Sequence, residues 1–402
     1  MLSVDRAIEA ILARCQPLPA RSIRLLDALG LALAEPIAAD LDLPPFDKAL
    51  MDGYAVRSVD LDGPLPYRLR VVEEIAAGRI SARTLLGSES ARIMTGAPLP
   101  PGADAVVPFE QSRPDGPDVL IPGPVRPGQN RMTRGREMKA GDALLAPGAI
   151  LGAASLGLIA SAGRDEVLAT PRPILAVVPT GDELVPPSRF PGPGQIRNSN
   201  GVMLAALARS WGATDVRERP IAPDDSGPLK AALLGALDGS DVAIICGGVS
   251  AGRMDLVPPT LEAIGVEPVF HKVSVKPGKP IWFGVAPRPE GRPPTLVFGL
   301  PGNPVGAVVG FLLFVRPALD ALSALPPRRP DRTRFPLAIP FNHRGDRPTY
   351  HPARLDEGRL RPMDWAGSAD LRTVALADGF AIFPPGEQSH AAGDEVGFLP
   401  LR

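Results

Sequence analysis

The chain has 402 residues, long for one hydrophobic core, so roughly two to four domains are expected. Hydrophobic residues make up 45% and charged residues 22%, as in globular proteins. A formal net charge of −1, without a long run of one sign, argues against a general nucleic-acid binder.

Two distant cysteines, Cys15 and Cys246, exclude a disulfide framework and fit a reducing compartment. His271, His343, His351 and His390 lack metal-ligand spacing, so no zinc site is expected. No basic-then-apolar leader opens the chain and no apolar run reaches transmembrane length, so a cytoplasmic protein without membrane contact is expected.

In chain order, apolar residues at Ala7, Ile8, Ile11 and Leu12 predict a helix from about Val4 to Cys15. From Ile37 to about Gly141 short β-prone runs alternate with Pro and Gly, as at Leu69–Val72, Ala91–Met94 and Ala105–Phe109. Within that stretch Pro44–Val56 reads as a compact turn stapled by Phe46 and Tyr54. Ile150 to Ala162 is Ala- and Leu-rich and predicts a helix closed by Gly163.

Beyond Pro173 strand-like and helix-like runs alternate: Ile174–Val178, a helix Gly201–Trp211 closed by Gly212, a helix Leu229–Leu237, strands Val242–Cys246 and Leu296–Gly299, and a helix from Val305 to about Leu322. Such alternation predicts a parallel sheet with helices on both faces and a ligand at the carboxyl ends of its strands. Cys246, ending an apolar run, reads as a core thiol. Pro326-Pro327-Arg328-Arg329-Pro330 reads as a stiff, exposed linker before a small β-domain. The expected division is 1–165, with a β-rich insertion at about 40–141, then 171–322 and 331–402.

Four small-residue loops fall at the predicted sheet edge: Thr180-Gly181-Asp182-Glu183, Gly247-Gly248-Val249-Ser250, Lys276-Pro277-Gly278-Lys279-Pro280 and Leu300-Pro301-Gly302-Asn303-Pro304. Glycine lets the backbone approach a ligand, and its amides can face phosphate oxygens. Asp182, Glu183 and Asp255 suit a hard cation, and Lys276 and Lys279 supply positive charge. Singly each has a bland explanation: Asp224 and Asp225 as helix N-caps, Asp182 and Glu183 as turn acids, the lysines as solvated side chains. Together they read as a pocket for an anionic, phosphate-bearing ligand.

Pro45-Phe46-Asp47 with Met51-Asp52-Gly53-Tyr54-Ala55 resembles the N-terminal signature of the molybdopterin molybdenumtransferase family, the bacterial relatives of the gephyrin E domain. Ile93-Met94-Thr95-Gly96-Ala97 with Pro101–Val107 resembles its next signature, and Arg197-Asn198-Ser199-Asn200 and the four loops resemble the rest in order. The resemblance implies insertion of molybdate into adenylylated molybdopterin with release of AMP. It also implies a three-layer molybdopterin-binding α/β domain with a parallel-type sheet, an N-terminal helical part with a β-rich insertion, and a small β-barrel-like C-terminal domain. An elongated homodimer with a cleft shared between subunits is implied as well.

Carried over onto this sequence, Asp52, Thr95, Glu183, Asp224, Asp255, Lys272, Lys276, Pro301 and Ser368 fall on family functional positions. By charge, Glu183 and Asp255 are assigned to Mg²⁺ and the pyrophosphate, with Glu137 as a further metal candidate. Lys272, Lys276, Lys279 and Ser368 are assigned to the anions, with Thr180, Gly181, Gly247, Gly248, Ser250, Pro301, Gly302, Asn303 and Pro304 around them.

Two departures stand out. Arg134-Gly135-Arg136-Glu137 replaces Arg-Gly-Glu-Asp, and Arg253-Met254 replaces an acidic and an aromatic residue before Asp255. Competing readings are a molybdopterin adenylyltransferase, which is also a candidate partner, a nucleotide-processing hydrolase on the same domain, and a non-enzymatic scaffold.

Overall fold

In the computed structural model, residues 1–213, 215–249, 255–288, 292–328 and 333–401 are described. A six-stranded sheet organises the larger of two units, which comprises Met1–Ala34, Gly148–Leu151 and Val167–Arg402. Its strands are β1 (Ile174–Pro179), β2 (Asp215–Glu218), β3 (Val242–Cys246), β4 (Glu267–His271), β5 (Trp282–Ala286) and β6 (Thr295–Leu300), in the spatial order β2-β1-β3-β6-β5-β4. The central strands are unbroken apolar runs because both faces of the sheet are covered. Side chains alternate accordingly: Leu175, Val177, Ile244 and Phe298 enter one core, Ala176, Val178, Ile245 and Val297 the other.

The parallel sheet expected from the alternation holds for β2, β1, β3 and β6. It fails at β5 and β4, which run antiparallel to their neighbours. The link from β5 to β6 is shorter than the dozen or so residues a parallel crossover needs, so the chain returns directly.

Four helices flank the sheet: α1 (Ser199–Ser210), α2 (Ser226–Leu237), α3 (Val257–Ala263) and α4 (Pro304–Leu322). Asn198 caps α1 through Gly201 N at 2.9 Å, and Asp225 caps α2 through Gly227 N at 3.0 Å. Gly212, at φ +115°, ends α1 as expected.

Helix α4 is 19 residues long with a mean hydropathy of 1.8, long and apolar enough by those measures to span a membrane, which corrects the expectation of no such run. Here 94% of it is buried inside the fold, against α1 and the N-terminal helix Val4–Leu12. A π-helical turn, Phe311–Val315, interrupts its α geometry.

After α4 the chain forms an antiparallel sheet of Arg334–Pro336, Glu395–Pro400, Gly379–Phe383, Thr349–Asp356 and Arg359–Pro362. Ala338 N donates to Leu360 O at 2.7 Å, bringing the two edges together into a nearly closed barrel. The preceding linker is anchored as well as exposed: Arg328 N donates to Asp320 Oδ2 at 3.1 Å, while Arg329 and Pro330 lie outside the described residues.

The smaller unit, Glu35–Pro147 with Gly152–Glu166, is built on a six-stranded sheet ordered Ala105–Pro108, Gly53–Val56, Glu89–Ile93, Tyr67–Ile75, Asp118–Ile121, Arg113–Asp115. Its helix is Ala153–Ser161, beginning later than expected because Gly152, at φ −89° and ψ 175°, is the extended N-cap. The staple expected between Phe46 and Tyr54 is absent. Tyr54 packs edge-to-face on Phe109 at 5.4 Å between centroids, and Phe46 is 38% exposed.

Candidate active site

The loops after β1, β3 and β6 are laced together by the backbone. Thr180 N donates to Cys246 O at 2.9 Å, Gly247 N to Leu300 O at 3.1 Å, and Gly181 N to Ala222 O at 3.1 Å. These three amides are therefore committed to the fold and do not face a ligand, contrary to the expectation drawn from the glycines. Close approach is what the glycines provide: a Cβ on Gly247, at φ +105°, would strike Thr180 O, and one on Gly181 would strike the Glu183 carboxylate.

Behind these loops lies a cavity of about 290 Å³, lined among others by Thr180, Glu183, Asn200, Cys246, Gly302 and Asn303. Asn200, carried on the first turn of α1, donates through Nδ2 to Gly302 O at 2.7 Å and to Cys246 Sγ at 3.3 Å. Its Oδ1 is buried without a partner. The Cys246 thiol is pushed up to about 12 by burial and remains protonated, as a core thiol should. Asn200 was not among the expected site residues, although Asn198-Ser199-Asn200 at a predicted helix start carries the signal.

Asp182 Oδ1 accepts from Asp224 N at 3.1 Å, which draws the start of the α2 segment to the Thr180 loop. Asp224 is thus a loop residue, and the cap role falls to Asp225 alone. Both Asp182 and Glu183 are exposed.

The lysine loop sits against the first turn of α4, where a Cβ on Gly278 would lie 3.3 Å from Gly306 O. The C-terminal domain grips its backbone: Lys276 N donates to Pro348 O at 2.9 Å, and Tyr350 N donates to Lys276 O at 2.8 Å. Ser368 enters through its carbonyl, which accepts from Val305 N at 3.1 Å and so satisfies a helix-start amide. Burial, followed by the Lys276 charge, holds the His343 imidazole below its ordinary range. Lys272 adopts φ +74°, rare for a residue with a side chain, and Lys279 is exposed. His271 links this segment to the glycine loop by a 2.9 Å bond between a ring nitrogen and Val249 O.

Strand ends and helix starts thus gather Thr180, Gly181, Glu183, Asp224, Gly247, Gly248, Pro301, Gly302, Asn303 and Pro304, with the Lys272–Lys279 segment and Ser368 beside them. Asp255 is half-buried where α3 begins; Ser250, Arg253 and Met254 lie outside the described residues. Among the described residues no three His, Cys, Asp or Glu side chains are grouped to hold a metal.

In the smaller unit, Asp52 and Thr95 meet. Asp52 Oδ1 accepts from Thr95 N at 2.6 Å and from Thr95 Oγ1 at 2.7 Å, and these bonds hold the Asp52 carboxyl below its ordinary range. Glu137 faces Lys48 Nζ at 3.1 Å.

Family models for three consecutive regions match the chain: the MoeA N-terminal region (domain I and II) over 2–163, the probable molybdopterin binding domain over 176–321, and the MoeA C-terminal region (domain IV) over 334–401. Molybdopterin molybdenumtransferase 2 of Mycobacterium tuberculosis is 37% identical over 98% of this chain and 97% of its own. The chain belongs to the molybdopterin molybdenumtransferase family.

The Staphylococcus aureus molybdopterin molybdenumtransferase is 36% identical over 99% of this chain and 95% of its own. A solved molybdopterin biosynthesis MoeA protein from Pyrococcus horikosii is 31% identical, covers 100% of this chain and 99% of its own, and superposes with a TM-score of 0.83. Membership places the chain among the transferases of molybdenum cofactor biosynthesis. The molybdopterin-binding region holds the strand-end loops and the lysines, the N-terminal region Asp52 and Thr95, and the C-terminal region Ser368.

Proposed function

We propose that this transferase takes adenylylated molybdopterin and molybdate, places the metal at the dithiolene and releases AMP. The observation carrying this reading is that the lysine loop packs on the first turn of α4 at Gly306, while the Thr180 loop lines one cavity with Gly302 and Asn303, which lead into that helix. Anions bound there would be attracted by the positive end of the α4 dipole and by the charge of the neighbouring lysine loop. Molybdate and the pyrophosphate are both oxyanions, so Lys272, Lys276 and Lys279 provide their charge partners.

Glu183 and Asp255 would hold Mg²⁺, with substrate phosphate oxygens and water supplying its other oxygen ligands. When bound, the ion would supply positive charge to neutralise the pyrophosphate. Glu137, held by Lys48, is the weaker metal candidate. The three stretches 1–165, 171–322 and 331–402 then act as an acid-bearing N-terminal part, the pterin-binding domain, and a domain that fixes the lysine loop.

The active form in this reading is a homodimer whose subunits complement each other, with an adenylyltransferase supplying the substrate. An insertion assay with adenylylated molybdopterin, molybdate and Mg²⁺ tests the reaction by AMP release and cofactor formation. Neither product appearing would remove it. Mixing an Asp52→Asn subunit with a Lys276→Ala subunit tests the dimer: recovery of part of the activity is expected, and a fully active monomer by light scattering would refute it.

A further inference from the structure

The amino ends of the same sheet border a second cavity, of about 420 Å³. It is reached at Ile174, where β1 begins, at Asp215, where β2 begins, and at Asp241, just before β3. A six-residue strand spans about 20 Å, so this cavity and the strand-end site lie at opposite ends of the sheet.

Four arginines line it, Arg21, Arg172, Arg288 and Arg292, against two carboxylates. Asp241 is taken by Arg288 at 2.9 Å and by Ile174 N at 2.8 Å, and Asp215 is taken by Arg217 at 3.0 Å. Arg288 also donates to Ser240 O, and its side chain is only 13% exposed, so its guanidinium is rigidly placed. Arg172 donates to Leu29 O at 3.3 Å. Arg21 and Arg292 are exposed and have no ion pair among the described residues. The cavity therefore carries a surplus of guanidinium charge, and Leu18, Pro19, Pro171 and Pro293 give it apolar walls.

We propose that this cavity is a second anion site, taking a small dianion with an apolar body, of the phosphate monoester class. Guanidinium forks match phosphate oxygens in bidentate geometry, and the prolines cover the body of the ligand at little entropic cost. The site is separate from the strand-end chemistry and depends on none of its residues.

The test is calorimetric titration of the full-length protein with phenyl phosphate, inorganic phosphate and benzoate. Saturable binding of phenyl phosphate is expected, tighter than that of either other probe. The Arg21→Ala/Arg292→Ala double variant should weaken it at least about tenfold, because two charge-assisted contacts are lost. In Lys276→Ala the binding component that depends on Arg21 and Arg292 should remain, with folding of both variants checked by circular dichroism. Absence of saturable binding, equal isotherms for wild type and the double variant, or loss of binding in Lys276→Ala would each overturn the site. Benzoate binding as tightly as phenyl phosphate would overturn the dianion assignment.

Discussion

Thr95 grips a single carboxylate oxygen of Asp52 twice, with its backbone N–H at 2.6 Å and its hydroxyl at 2.7 Å. The pair is exposed and joins two segments that the sequence separates by more than forty positions. Both donors favour the charged carboxylate, with the backbone bond the larger cause of its lowered pKa.

Thr95→Val removes the hydroxyl donor and keeps the amide. The Asp52 pKa should rise part of the way toward its ordinary value, read by NMR titration of the side-chain carbon. The sign for stability follows: a lowered folded-state pKa contributes stability above the unfolded carboxylate range, and that contribution is lost as pH falls through the folded value. In the variant this contribution should be smaller and its loss complete at higher pH. An unchanged titration would show that the amide alone sets the shift.

Lys276 has its backbone fixed on both sides by Pro348 and Tyr350, so truncating its side chain should spare the loop. Lys276→Ala should raise the molybdate concentration for half-maximal cofactor formation, or weaken the apparent affinity for adenylylated pterin, by about tenfold for one lost charge-assisted contact. Lys276→Arg should rescue only part, because a planar guanidinium does not sit where a compact ammonium does. Titrations indistinguishable from wild type would make this lysine a solvated surface residue.

Asp255→Asn preserves shape and removes a charge. If Asp255 helps to hold Mg²⁺ at the phosphates, the variant should need a higher Mg²⁺ concentration for AMP release. Superimposable Mg²⁺ titrations would remove Asp255 from the metal assignment.

Lys272 sits at φ +74°, where a Cβ is strained and glycine is not. Lys272→Gly and Lys272→Ala both lose the ammonium group, yet the glycine variant should be the more stable of the two by about 1 kcal/mol. Urea transitions of the two variants compare them directly. Both should lose activity, which would separate the retained strain from the function of the side chain. An alanine variant as stable as the glycine one would show that the backbone relaxes there.

The sequence by itself determined the elements whose signals are local. Unbroken apolar runs at Val242–Cys246 and around Leu296 read as strands covered on both faces, and Gly212 marks a helix end by its own chemistry. It also determined the family, because the ordered motifs name it one by one.

Tertiary structure decided what depends on residues distant in the chain. The antiparallel β5 and β4 follow from a connection too short for a crossover, which periodicity does not express. Committing the Thr180, Gly181 and Gly247 amides to the ladder, and giving Tyr54 to Phe109 instead of Phe46, required partners that only the assembled fold brings near. The arginine-lined cavity stayed hidden for the same reason. Arg21, Arg172, Arg288 and Arg292 form no run in sequence, and only the sheet gathers their charge onto one edge.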